Sequence, residues 1–117
     1  GHNPHAARAI ARQLNNMPGR TALVAAMLAS KDATGYFMPF RQVRPEVFTL
    51  PNAPGHQGAE PQALAEAATN AGLKAAAYDS LEAALKAAAA TGVDRILICG
   101  SLYLAGEVLA QNGEPPA

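Results

Sequence analysis

The fold is decided by the stretch RILICGSLYLAGE at residues 95–107, in which an apolar strand passes through a tight turn into a helix. The start of the chain, GHNPHAA at residues 1–7, has the turn and the helix start of the same arrangement without its strand. In a parallel α/β sheet such turns follow the carboxyl ends of strands, where ligands bind. The two stretches therefore predict an α/β domain with a ligand site at one sheet edge, and they place the domain's first strand before residue 1, missing from the chain.

Apolar runs and helical repeats alternate along the rest of the chain. Four short apolar runs bounded by turn residues predict strands at residues 21–27, 46–50, 75–78 and 95–99. Apolar positions spaced three and four apart predict helices at residues 4–16, 33–38, 61–71, 81–91 and 101–111, with Ser80 as an N-cap and Gly72 and Gly92 as helix ends. The connections are long enough for crossover helices, so we expect a Rossmann-like α/β fold. It is one domain, residues 1–117, with a largely parallel sheet and helices on both faces.

Composition narrows the classes of function. Nine basic and nine acidic residues give a formal charge of zero, which leaves no surplus for a nucleic-acid backbone. The single cysteine, Cys99, lies within an apolar strand, so we expect a buried thiol rather than a nucleophile, and no disulfide can form within the chain. No apolar run reaches the ~18 residues of a membrane span, and no secretory leader is present, so the sequence predicts a soluble cytoplasmic protein without membrane contact.

Polar residues at the predicted turns are the candidates for ligand binding. His2 and Asn3 lie at the start of the first helix, where free backbone N–H groups favour an anion such as a nucleotide phosphate. The alternative is that Asn3 only caps the helix and His2 is an ordinary loop residue. Lys31 follows the first strand and suits a carboxylate, and Ser101 can cap the last helix while it presents its backbone N–H. Because these residues follow strand ends at one sheet edge, a single crevice can hold them.

Two further patterns limit the chemistry. His2 and His5 have a metal-ligand spacing, but no cysteine or carboxylate nearby completes a tetrahedral set, so no metal ligand is predicted. The glycines do not follow the Gly-x-x-x-x-Gly-Lys-Ser/Thr pattern, so the loop that cradles nucleotide phosphates is not on this chain. We therefore predict binding residues and no catalytic side chain.

Three motifs resemble the C-terminal domain of folylpolyglutamate synthase/dihydrofolate synthase, a branch of the Mur ligase family. They are HNP at residues 2–4, SKD at residues 30–32 and GSLYLAGE at residues 100–107. The family writes the first turn as Asp-Gly-Ala-His-Asn-Pro, so Gly1 stands in place of the Ala and the Asp, which contacts the ribose of ATP, falls before residue 1. The resemblance implies that His2 faces the cleft towards the ATP-binding domain. It also implies that Lys31 and Ser101 match a lysine and a serine that bind the incoming amino acid in the related D-glutamate-adding Mur ligase.

This resemblance implies a function for the protein that contains the chain. The family couples ATP cleavage to formation of an amide between a substrate carboxylate and L-glutamate. The implied partners are L-glutamate, folate or dihydropteroate, and ATP with Mg²⁺, the last two bound mainly by an N-terminal ATPase domain. The chain would supply the glutamate- and nucleotide-facing wall, with His2, Lys31 and Ser101 towards the substrate and His2 and Asn3 towards the nucleotide, and it would be inactive alone. The alternative is a stand-alone doubly wound regulatory domain that binds a nucleotide or metabolite, which the fold class alone permits.

Overall fold

The computed structural model describes residues 4–26, 33–51 and 60–99 of the chain, with only the backbone of residues 4 and 5. Helices and strands alternate through these ranges, as the sequence predicts. In chain order the elements are α1 (Pro4–Asn15), β1 (Thr21–Ala25), α2 (Ala33–Phe37), a 3-10 helix (Met38–Arg41), β2 (Glu46–Thr49), α3 (Pro61–Asn70), β3 (Ala75–Ala77), α4 (Leu81–Ala90) and β4 (Arg95–Cys99). The predicted last helix, residues 101–111, lies outside the described residues.

The four described strands form one parallel sheet in the order β3-β2-β1-β4. Leu23 at the centre of β1 lies between Val47 of β2 and Leu97 of β4. The predicted α/β fold with a largely parallel sheet is confirmed. A further strand before residue 1 stays a prediction.

Three strands end one or two residues earlier than the apolar runs predict. The first ends at Ala25 rather than residue 27, the second at Thr49 and the third at Ala77. Single backbone hydrogen bonds continue the sheet past these strand ends. The N–H of Ala26 donates to Cys99 O at 3.1 Å, and the N–H of Tyr78 donates to Thr49 O at 2.8 Å. Ala26 and Leu50 are buried and Tyr78 is half-buried, so apolar character extends one residue beyond the regular ladder at each of these strand ends.

Helices cover both faces of the sheet. On one face, Leu23 and Ala25 of β1 pack against α1, α2 and α3. On the other face, Ala22 and Val24 pack against α4, whose Ala84 and Ala88 are fully buried. The alanine-rich stretch of α4 thus serves close helix-to-sheet packing, which is consistent with its high helix propensity.

Local signals at the helix ends act largely as expected. Ser80 caps α4, with its side-chain oxygen accepting a hydrogen bond from Ala83 N at 3.1 Å. Gly72 and Gly92 follow α3 and α4 with φ of +91° and +77°, the left-handed conformation that glycine adopts most easily. The helix predicted for residues 33–38 is only partly correct: α2 ends at Phe37 and the chain continues as the 3-10 helix. Pro39 is tolerated there because the first residues of a helix need no N–H partner.

A short clamp joins the two turns that lead into β1 and β4. Asp94 accepts a hydrogen bond from Arg20 N at 2.7 Å and returns one from its own N–H to Arg20 O at 2.9 Å. Gly19 sits beneath this clamp with φ of +94°, and a Cβ added there would lie 2.7 Å from Asp94 Oδ2. The turn therefore needs glycine for its backbone conformation and for space.

We expect Gly19→Ala to lower the free energy of unfolding by about 2 kcal/mol or more, because the left-handed backbone and the contact with Asp94 both penalise a Cβ. Urea unfolding followed by circular dichroism measures the loss. Gly35→Ala is the matched control: Gly35 is exposed within α2, so alanine should leave stability unchanged or raise it by up to about 1 kcal/mol. Equal effects of the two substitutions would contradict the proposed role of Gly19.

Candidate functional site

The carboxyl ends of β1, β2 and β4 meet at one edge of the sheet, here called the carboxyl edge. Backbone hydrogen bonds hold the three ends in register: Ala26 N donates to Cys99 O and Leu50 N donates to Ala25 O, each at 3.1 Å. These residues are almost completely buried, so packing as well as hydrogen bonding holds the strand ends in place. In open parallel sheets this edge is where ligands bind.

Helix α1 begins at the same edge. Its last turn leads through Pro18 and Gly19 into the amino end of β1, so α1 runs antiparallel to the strand. A 12-residue helix covers about 18 Å, close to the length of β1, and its start at Pro4 therefore returns to the carboxyl edge. The buried stripe of Ala7, Ala11 and Leu14 fixes this path against the sheet.

Two more helices start at the carboxyl edge. Helix α2 begins at Ala33, after the connection that follows β1, and α3 begins at Pro61, after the connection that follows β2. The buried hydroxyl of Thr49 donates to Pro61 O at 2.6 Å, which ties the start of α3 to the end of β2. Three helix starts and three strand ends thus share one edge.

The predicted site residues His2, Asn3, Lys31 and Ser101 lie outside the described residues. What the structure describes is the element next to each of them in sequence: Pro4 at the start of α1, Ala33 at the start of α2, and Cys99 at the end of β4. All three of these positions belong to the carboxyl edge. The pairing of β1 with β4 brings together the strand ends that precede Lys31 and Ser101.

Beneath this edge, Tyr36 and Cys99 form a buried polar pair. The Tyr36 hydroxyl neighbours the Cys99 thiol, and within the described residues it meets no partner in hydrogen-bond geometry. Burial raises the pKa of Tyr36 far above its usual range, with the nearby thiol adding to the rise, and burial also raises the pKa of Cys99. Cys99 is therefore a protonated, enclosed thiol at neutral pH, and the sequence-based prediction of a buried cysteine is confirmed.

Sequence reasoning missed Tyr36. Its only signal was a hydroxyl within an aromatic cluster, Tyr36, Phe37 and Phe40, whose helical spacing indicates packing. The contact with Cys99 depends on how α2 crosses the sheet, which local periodicity does not encode.

Residues 4–26, 33–51 and 60–99 contain no group of three histidine, cysteine, aspartate or glutamate side chains that could hold a metal ion. None of the helices in these ranges is long and apolar enough to cross a membrane.

The family described as "Mur ligase, glutamate ligase domain" matches residues 1–102 of the chain. This chain belongs to that family. No curated protein matches the sequence of this glutamate ligase domain at a significant level.

Solved structures match the glutamate ligase domain over nearly its full length. A folylpolyglutamate synthase of Mycobacterium tuberculosis, complexed with ADP and AMPPCP, matches with a TM-score of 0.82 and 22% identity, over 100% of this chain and 29% of that one. A bifunctional folylpolyglutamate synthase/dihydrofolate synthase of Yersinia pestis, complexed with AMPPNP and Mn ion, matches with a TM-score of 0.78 and 28% identity, over 97% of this chain and 27% of that one. The domain thus spans less than a third of these relatives.

We expect the free energy of unfolding to fall as the pH rises above about 8.5 and again above about 10, where Cys99 and Tyr36 ionise in the unfolded chain. Both folded-state pKa values are raised, so the unfolded state releases these protons first and is favoured as the pH rises. Each group contributes a slope of up to about 1.4 kcal/mol per pH unit. Urea unfolding between pH 7 and pH 10.5 measures it.

The control for this pH dependence is the double variant Tyr36→Phe, Cys99→Ala. It loses stability at every pH, but its profile above pH 8.5 should be flatter than that of the unmodified domain. An equally steep profile would show that other groups cause the loss.

Proposed function

We propose that the protein containing this domain is an ATP-dependent ligase that adds L-glutamate to folates, a folylpolyglutamate synthase. The observation that carries the proposal is the family match over residues 1–102, and the 28%-identical match to a bifunctional folylpolyglutamate synthase/dihydrofolate synthase supports the choice of folate. That relative also suggests dihydropteroate as a second acceptor. The alternative of a stand-alone regulatory domain gains no support from these comparisons.

In this proposal the carboxyl edge is the glutamate-side wall of a cleft between two domains. Lys31 binds a carboxylate of the incoming glutamate through a charge-assisted contact, and Ser101 offers its hydroxyl and backbone N–H beside it. His2 and Asn3, which precede α1, face the nucleotide and the cleft. The pairing of β1 with β4 supports a shared site, because it joins the two strand ends from which Lys31 and Ser101 follow.

In the proposed reaction this domain positions the glutamate and supplies no nucleophile of its own. A folate carboxylate is activated as an acyl phosphate at the expense of ATP, the amine of glutamate attacks its carbonyl carbon, and phosphate leaves. Orienting the amine and neutralising glutamate's own carboxylates supply the rate gain expected of such a wall. Cys99, enclosed and protonated, takes no part in bond formation.

ATP and Mg²⁺ are assigned to the partner ATPase domain. No phosphate-cradling loop occurs in the sequence of this chain, and the described residues contain no cluster of candidate metal ligands. When bound, Mg²⁺ neutralises charge on the transferring phosphate groups. The relatives complexed with nucleotides, one of them also with Mn ion, support the binding of a nucleotide and a divalent cation by the full-length protein.

In the full-length enzyme, Lys31→Ala should raise the KM for glutamate about 10- to 100-fold and change the KM for ATP little. The reason is that a charge-assisted contact to a carboxylate contributes on the order of 1.5–3 kcal/mol. Steady-state kinetics with each substrate varied in turn measures both constants. Lys86→Ala, an exposed lysine on α4, is the matched control. An unchanged glutamate KM would remove Lys31 from the site.

The 117-residue chain alone should show no ATP-dependent ligation of glutamate to folate or dihydropteroate, because it carries no phosphate-cradling loop. Incorporation of radiolabelled glutamate, with the full-length enzyme as the positive control, measures this. Turnover by the isolated chain would overturn the assignment of ATP to a partner domain.

A further inference from the structure

The opposite edge of the sheet, where the strands begin, carries an open cleft that the ligase proposal does not use. The cleft has a volume of about 1100 Å³. It lies between the segment that enters β2 and the turn that enters β3, and its charged lining residues are Arg41, Arg44 and Lys74. Among the described residues, no acidic side chain lines it. We refer to it as the basic cleft.

The three cations of the basic cleft have no partner within the described residues. Arg41, Arg44 and Lys74 are exposed, and their side chains form no hydrogen bond or ion pair with another described residue. Two arginines beside the amino ends of β1 and β4 behave differently: Arg20 donates to Thr91 O at 2.6 Å, and Arg95 donates to Thr21 Oγ1 at 2.7 Å. Arg20 and Arg95 thus stabilise the fold through hydrogen bonds, whereas the three cations of the basic cleft lie in one cleft without a described partner.

The loops that carry the cations are held in place by backbone contacts. Val47 N donates to Lys74 O at 2.8 Å, which joins the entry to β2 with the entry to β3, and Arg44 N donates to Phe40 O at 2.9 Å. Arg41 lies over the turn after α3, because a Cβ added at Gly72 would lie 3.9 Å from Arg41 Nε. The backbone that carries the three lining cations is therefore held in place before a ligand arrives, which lowers the ordering cost of binding.

Arg44 adopts a backbone conformation that its residue type disfavours. Its φ is +54°, and it is the only described residue other than glycine with a positive φ. Glycine or asparagine would occupy this position at a lower free-energy cost. An arginine here suggests that the guanidinium matters more than local backbone stability.

Charge on the whole chain does not explain the cluster. The chain has nine basic and nine acidic residues, so the surplus at this cleft is local. Glu46 lies in a neighbouring cleft beside Arg20 and Arg44 but forms no ion pair with either of them. Guanidinium groups pair with carboxylate and phosphate oxygens through two parallel hydrogen bonds, and a lysine adds a mobile point charge.

We propose that the basic cleft binds a small multivalent anion whose charges are carried by phosphate or carboxylate groups. The ligand bridges Arg41, Arg44 and Lys74 from outside the sheet. The strands place about 15 Å between this cleft and the carboxyl edge, so the site is separate from the proposed glutamate wall and does not depend on the ligase proposal.

The test is calorimetric titration of the 117-residue chain at low ionic strength, with tripolyphosphate in one arm and citrate in the other, both without divalent cations. We expect saturable binding of at least one anion at a single site, weakened at 0.15 M salt. Binding of only one anion identifies whether the natural ligand carries phosphate or carboxylate groups. Absence of saturable binding in both arms overturns the proposal.

Single variants locate the site. Arg41→Gln and Lys74→Gln should each weaken binding about tenfold, as expected for loss of one charge-assisted contact, whereas Lys86→Gln on α4 should leave the Kd unchanged. Arg44→Gly should weaken binding while the melting temperature stays level or rises, because glycine relieves the backbone at this position. Equal Kd values for the unmodified chain and the three cleft variants would place the anion elsewhere and overturn the proposal.

Discussion

The structure depends on enclosing β1 from four directions. Its two edges are paired with β2 and β4, and its two faces are covered by α1 to α3 on one side and by α4 on the other. All five residues of the strand are buried, so every backbone N–H and C=O must find a partner within the sheet. That requirement is met by a hydrogen-bonded strand on each side of β1, and the helices cover the two faces that remain.

The sequence predicts this framework well because its signals are local. Continuous apolar runs indicate strands that are buried on both faces, and Ser80 and Gly92 mark the two ends of α4 in the way that capping chemistry requires. The motifs around His2, Lys31 and Ser101 identify a family, and the structure describes the elements beside them. The positions of those three side chains stay predictions.

Features that arise from tertiary packing were not predictable in the same way. Tyr36 neighbours Cys99 only because α2 and β4 contribute to the same core cluster, and both residues resemble ordinary core positions in the sequence. Arg41 and Lys74 are distant along the chain and approach each other because β2 pairs with β3. No periodic pattern in the sequence predicts contacts of this kind between distant residues. The left-handed backbone of Arg44 could not be predicted either, because arginine is not a residue type that favours it.

The clamp between Arg20 and Asp94 joins residues 74 positions apart, and it lies at the start of the β1–β4 pair. Closing so long a loop costs chain entropy before the contacts that offset this cost can form. We therefore expect the pairing of β1 with β4 to be among the last events of folding. During synthesis β1 leaves the ribosome long before β4 exists. A nascent or truncated chain that stops short of residue 95 can bury much of the α1–α3 face, yet it cannot assemble the carboxyl edge. Readiness to bind a ligand at that edge would then report that translation has passed β4.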